Sequence, residues 1–221
     1  MTPYVYAFVD RKLPRLRLRG HVIDTVPIGD LHAAVEMVGR APAVSEQALC
    51  EQHEIVLALA GRVAAILPAR FGSLVDREEL ENIVARRHPQ FTAALKLVRG
   101  REQMTVRLIG DAGAAEAPPR RQVTAVGGPG ARYLQQRRAA AGYPLPGAVE
   151  RLNAAVRALV VADKAEPGQG AVRAMLYHLI ERGSSASYCR ALAAASSHVV
   201  PFRVKVTGPW PPFAFAPEVI G

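Results

Sequence analysis

The stretch Thr207-Gly208-Pro209-Trp210-Pro211-Pro212-Phe213-Ala214-Phe215 gathers three prolines, two phenylalanines and the chain's sole tryptophan beside a glycine. Proline fixes φ and carries no N–H, so neither a helix interior nor a central strand accommodates this pattern. The segment is expected to be extended or turned, with aromatic rings projecting from a stiff backbone. It reads as a preformed apolar plug at the end of whatever strand precedes it.

That strand is expected at residues 202–206, and it closes a regular alternation of elements in the second half of the chain. Met104, Val106 and Leu108 alternate with Thr105 and Arg107, as in a half-buried strand. Helices follow at 131–141 and 147–161; in the latter, Val149, Leu152, Val156 and Leu159 share one face. Strands at 163–166 and 171–180, a helix at 184–195 and the strand at 202–206 complete the series. The order βαββαβ is the split arrangement called ferredoxin-like. Residues 110–131, rich in glycine and proline through Pro118-Pro119 and Gly127-Gly128-Pro129-Gly130, are expected to form a loop or mobile linker.

The first half opens with the strand Tyr4-Val5-Tyr6-Ala7-Phe8-Val9 and a basic loop at 10–20. A second strand is expected at 21–28, where Val22, Val26 and Ile28 share a face. Gly29-Asp30 then turns the chain into a third strand or a helix start at 31–38. A long helix opens at Ser45, with Glu46 in its first turn and apolar residues Leu49, Val56, Val63 and Ile66 at helical spacing, and ends near Leu67-Pro68. A short strand is expected at 71–75, then a helix capped by Asp76 with Glu78, Glu79 and Glu81 at the positive end of its dipole. His88-Pro89 breaks that helix before another at 90–98. The fold class is therefore α+β, with an N-terminal α+β domain at 1–100 and a ferredoxin-like domain at 101–221 that carries the tail 207–221.

Composition bounds the function. Half of the 221 residues are apolar and 21% are charged, which fits globular domains with real cores. The longest apolar stretch, residues 55–69, is interrupted by Arg62 and Pro68 and falls short of the roughly 20 residues a membrane span requires. No basic leader precedes the first strand, so a cytosolic location is expected. Cys50 and Cys189 give neither a disulfide framework nor paired ligand spacing, and buried reduced thiols are expected. Net charge is +9, and the surplus lies in the second half, where 15 basic residues face 8 acidic ones, against 13 and 11 in residues 1–100. Such a surplus suits nucleic acid, an anionic membrane surface or an acidic partner, or simply a solvated basic surface.

Catalytic and cofactor motifs are missing from the sequence. Cys50 and His53 sit three apart on the long helix, but two side chains do not make a zinc site, and His53-Glu54 point about 100° apart. Gly127-Gly128-Pro129-Gly130 beside Arg132 lacks both the Gly-Lys-Ser/Thr ending of a phosphate loop and a strand feeding it. Ser184-Ser185 has no spacing to His178 or His198 that marks a nucleophile. Arg120-Arg121 and Arg137-Arg138 are basic, but the second half lacks the aromatic pair with which a ferredoxin-like sheet stacks bases. No catalysis, metal, cofactor or nucleic acid is expected.

Four segments, in order, resemble the GvpF/GvpL family of gas vesicle accessory proteins: Tyr4-Val5-Tyr6-Ala7-Phe8-Val9; the helix carrying His53-Glu54 into Leu67-Pro68-Ala69-Arg70-Phe71-Gly72; Gly130-Ala131-Arg132-Tyr133-Leu134; and Thr207-Gly208-Pro209-Trp210-Pro211-Pro212-Phe213. The resemblance spans nearly the whole chain, and its second and fourth segments are the specific ones. Two positions depart from the family pattern. Phe213-Ala214 stands where Tyr-Ser often follows the double proline, and Gln103 stands where an acidic residue is common.

The resemblance implies a two-domain α+β fold and a non-enzymatic accessory role in gas vesicle assembly, on the vesicle or in the cytoplasm beforehand. Its implied partners are the small hydrophobic shell subunit and other accessory proteins. The residues it singles out for partner binding or interdomain contact are Arg70, Phe71, Gly72, Tyr133, Pro209, Trp210, Pro211, Pro212 and Phe213. Phe71 is expected in the core, Gly72 at a positive φ, and Trp210 either as a buried lid on the first domain or as an exposed anchor. The alternative function is a ligand-sensing or regulatory module, since ferredoxin-like sheets host small molecules.

Overall fold

Residues 1–110 and 147–217 are described in the computed structural model of the chain. The expected linker and the helix at 131–141, with Tyr133 and the Arg120-Arg121 and Arg137-Arg138 pairs, lie outside these residues, apart from Gly110. The chain divides into two compact units, Met1–Gln103 with the C-terminal segment from Pro209, and Met104–Gly208.

In the first unit, β1 (Thr2–Val9), β2 (Leu16–Leu18), β3 (His21–Ile28), β4 (Leu31–Val38) and β5 (Ile66–Pro68) form a sheet of order β2-β3-β4-β1-β5. The pairings β1 with β4 and β5, and β3 with β2 and β4, are antiparallel. Every residue from Tyr4 to Val9 is buried, because helices cover both faces of β1. The β1–β4 register shifts between Val5 and Ala7. This bulge lets Tyr4, Tyr6, Ala7 and Val9 all join the core built on α1 (Glu46–Ala60), where Ile55, Val56 and Leu59 meet them. Phe8 instead stacks edge-to-face on Phe91 at 4.7 Å. Phe91 belongs to α3 (His88–Val98), which follows α2 (Arg77–Arg86).

Local signals set most helix boundaries. The Ser45 Oγ caps α1 by accepting from the Ala48 N–H at 3.1 Å, and Asp76 caps α2 from the Glu79 N–H at 2.8 Å. Pro89 occupies the first turn of α3, where its missing N–H costs nothing. The far end of α1 differs from expectation. It stops at Ala60, where the Gly61 N–H bonds back to the Leu57 carbonyl, and Ile66–Pro68 becomes β5 against Ala7, Phe8 and Val9. A short apolar run fits either structure, and the open edge of β1 decides it. Leu49 is accordingly not a core residue: it is 46% exposed. Residues 71–75 form a turn with a single bridge, Tyr4 to Leu74, because Gly72 at φ +86° interrupts the extended chain.

In the second unit, β6 (Arg101–Ile109), α4 (Gly147–Val156), β7 (Val160–Pro167), β8 (Val172–Glu181), α5 (Ser185–Ser196) and β9 (Arg203–Trp210) follow in turn, the first and last strands running on into the other unit. Their sheet has the order β7-β8-β6-β9. Met104, Val106 and Leu108 of β6, Ala174, Leu176 and Ile180 of β8, and Val204 and Val206 of β9 pack on Val149, Leu152 and Val156 of α4 and on Tyr188 and Leu192 of α5. Helix α4 ends five residues short of Val161 because Val160 opens β7, paired antiparallel with β8. Strand β9 runs through Pro209, which an edge strand permits. Both cysteines, expected buried, are exposed, Cys50 on α1 and Cys189 on α5.

Candidate functional site

Tyr4 organises one end of the first unit. Its hydroxyl accepts the Gly72 N–H at 2.9 Å and donates to Gln52 Oε1, while Gln52 Nε2 donates to the Ala69 carbonyl at 3.3 Å. Burial raises the Tyr4 pKa, partly offset by the Gly72 N–H, so the phenol keeps the proton it donates. The Ala69 N–H bonds the Tyr6 carbonyl at 2.9 Å. The turn carrying Arg70, Phe71 and Gly72 is thereby fixed to both β1 and α1. Phe71, expected in the core, is half-buried with its ring edge-on to Tyr4 at 6.5 Å, and the Arg70 residue is exposed.

A second polar cluster braces the same helix. Glu36 Oε2 accepts from the Tyr6 hydroxyl and from His21 Nδ1, each at 2.8 Å, and Glu36 Oε1 accepts the Val22 N–H at 3.1 Å. Burial alone would raise the Glu36 pKa, but these donors outweigh it and hold the carboxylate below its usual range. Burial and the neighbouring Glu36 push the Tyr6 phenol up. His21 Nε2 lies 3.8 Å from Glu51 on α1.

The C-terminal segment packs beside this frame. Pro211 and Pro212 are buried, Phe215 is 5% exposed, and residues Phe213–Phe215 form a single 3-10 turn. Trp210, half-buried, meets the His53 ring edge-on at 5.2 Å, and Phe213 stacks on the same ring at 5.9 Å and 21°. The Ala214 N–H donates to Gln103 Oε1 at 2.8 Å. The two positions that depart from the family pattern thus meet, and Gln103 retains the acceptor oxygen that a carboxylate would supply.

Leu49, His53 and Leu57 follow at intervals of four along α1, and residues so spaced lie one above another. Leu57 and Phe213 are each 38% exposed, so Leu49, Leu57, His53, Phe213 and Trp210 make a continuous, partly solvated apolar ridge. The sequence marks Trp210, Pro211, Pro212 and Phe213, but not His53 as the ring that Trp210 and Phe213 flank. Those contacts join residues more than a hundred positions apart.

In the second unit, His178 is buried between Tyr188, whose hydroxyl lies 2.6 Å from Nδ1, and Asn153, whose Oδ1 lies 3.1 Å from Nε2. Burial pushes His178 down to about 4, so the neutral ring donates through Nε2 and accepts through Nδ1. Enclosed in this way, it fastens α4 and α5 to β8. Among the described residues, no three His, Cys, Asp or Glu side chains gather as a metal site, and no helix is long and apolar enough to cross a membrane.

A model of the gas vesicle synthesis protein GvpL/GvpF family matches residues 3–217. The crystal structure of the gas vesicle protein GvpF from Anabaena sp. PCC7120 is similar with a TM-score of 0.71 and 13% identity, over 98% of this chain and 99% of that chain. That of GvpF from Microcystis aeruginosa is similar with a TM-score of 0.72 and 13% identity, over the same 98% and 99%. At this identity the likeness is one of fold: a mixed structure with two sheets. No curated protein matches the chain by sequence.

Proposed function

We propose, from the premise that the chain belongs to the gas vesicle synthesis protein GvpL/GvpF family, that it is a non-enzymatic accessory protein of gas vesicle assembly. It contacts the hydrophobic shell subunit, and other accessory proteins, in the cytoplasm and on the growing vesicle. The ridge of Leu49, Leu57, Trp210 and Phe213 supports this reading, because it displays apolar and aromatic area on a proline-stiffened frame. A shell subunit whose gas-facing surface repels water is an aggregation hazard until it is assembled. A rigid apolar ridge covers such a surface at low ordering cost.

The order β7-β8-β6-β9 within a βαββαβ sequence supports a ferredoxin-like second domain. The division after Gln103 supports a boundary near Gly100, and the grouping of the segment from Pro209 with the first unit supports a tethering role for Trp210.

The test separates tether from contact. Leu57→Ser with Phe213→Ser removes partly solvated area, so co-purification of the shell subunit should fall while the chain still folds and melts cooperatively. Trp210→Ala should lower the melting temperature as well. Undiminished capture of the shell subunit by the double variant would remove the ridge as its contact.

A further inference from the structure

The display of Phe213 at the ridge depends on how the turn Phe213–Phe215 is rotated about its own axis. Pro209, Pro211 and Pro212 bring no N–H to this segment. The N–H groups of Phe213 and Phe215 bond within it, to the Pro211 and Pro212 carbonyls at 2.7 and 3.1 Å. The N–H of Ala214, between them, turns outward to Gln103 Oε1 at 2.8 Å. Gln103 is itself buried near the start of β6, and it belongs to the same unit as the turn.

A 3-10 turn advances about 120° per residue, so Phe213, Ala214 and Phe215 leave it in three directions. Phe215 enters the core, while Phe213 stays partly solvated on the His53 ring. Apolar area alone does not choose between these two placements. The hydrophobic effect is non-directional and follows area, and two identical side chains that exchange places bury the same area. The hydrogen bond from the residue between them does distinguish the two, because a rotation that exchanges the rings carries the Ala214 N–H away from Gln103. We infer that Gln103 is the positioning residue of the ridge: its side-chain oxygen holds the turn in the rotation that puts Phe213 beside His53 and Phe215 in the core. The effect on capture rests on the ridge as the shell contact, whereas the positioning itself is read without a partner.

The full chain is labelled with para-fluorophenylalanine, and the Phe213 signal in the fluorine NMR spectrum is assigned with Phe213→Ser. Gln103→Met keeps the length of the side chain and removes the acceptor, while Gln103→Glu retains an acceptor oxygen. In Gln103→Met the Phe213 signal should move to that of a freely solvated ring, and the Ala214 amide should exchange about ten-fold faster. Capture of the shell subunit should fall by about the same factor, while the amides of β1 keep their protection. Gln103→Glu should preserve all of these properties. An unchanged Phe213 signal and Ala214 exchange rate in Gln103→Met would overturn the proposal, as would a Gln103→Glu chain that behaves like Gln103→Met. Loss of protection along β1 in Gln103→Met would overturn it too, by making Gln103 a support of the whole unit. A displaced Phe213 with undiminished capture would uphold the positioning and remove the ridge as the shell contact.

Discussion

Strands β1 and β6 carry similar apolar alternations, yet they are used differently. In β1 every side chain from Tyr4 to Val9 is buried, the odd and the even alike. In β6, Met104, Val106 and Leu108 are buried against helices, while on the opposite face Thr105 is buried and Arg107 and Ile109 are partly covered. A sheet enclosed on both sides has no face left for a partner, so the first unit presents its apolar ridge on the outside of α1. In the second sheet the face away from α4 and α5 is mixed: Thr105 and Leu179 are buried there, while Arg203 and Lys205 on the edge strand β9 are exposed.

The comparison is broken most sharply by truncation. Phe8→Ala removes a ring packed at 4.7 Å on Phe91 and should cost about 3–5 kcal/mol, whereas Arg107→Ala should stay within about 0.5 kcal/mol in urea denaturation. Similar costs at the two positions would mean that Arg107 is packed as tightly as Phe8.

A smaller effect concerns pH. His178 holds a folded-state value of about 4 against about 6.5 in the unfolded chain, so the unfolded state binds the extra proton between these values. Stability from this group is complete above pH ~6.5 and is lost as pH falls through about 4, by up to about 3 kcal/mol. Urea midpoints from pH 7 to 4.5, combined with hydrogen exchange, should show α4 and α5 loosening before β1. His178→Gln should flatten the dependence. A dependence that persists unchanged in that variant would assign it to other groups.

Smallest is Tyr4→Phe, which strands the Gln52 oxygen and the Gly72 N–H and should cost about 1–2 kcal/mol. Hydrogen exchange should rise at the 69–73 turn and leave β6 untouched. An unaltered turn would show that its backbone bonds to β1 and the packing of Phe71 hold it without the hydroxyl.

Local chemistry was legible in the sequence. The caps at Ser45 and Asp76, the break at His88-Pro89, the β6 alternation and the positive φ of Gly72 follow from side chains within a few residues of each other. What depends on distant partners was not legible. Ile66–Pro68 suits a helix end until the edge of β1 is present to pair with it. Leu49 shares the helical spacing of Val56 but lies on the wrong side of the stripe, because spacing defines a face and not what covers it. The GvpF/GvpL motifs indicated which segments matter. The ring that Trp210 and Phe213 grip, His53, had to be found by geometry.

The first unit is assembled from both sides of the second, since its members stop at Gln103 and resume at Pro209. During synthesis this imposes an interval. At roughly 5–20 residues per second, on the order of 5–20 s separates the emergence of Gln103 from that of Phe213. Over that time His53 waits on α1 without the two rings that will flank it. The apolar ridge is therefore completed only on finished polypeptides, and a prematurely terminated chain carries half of it.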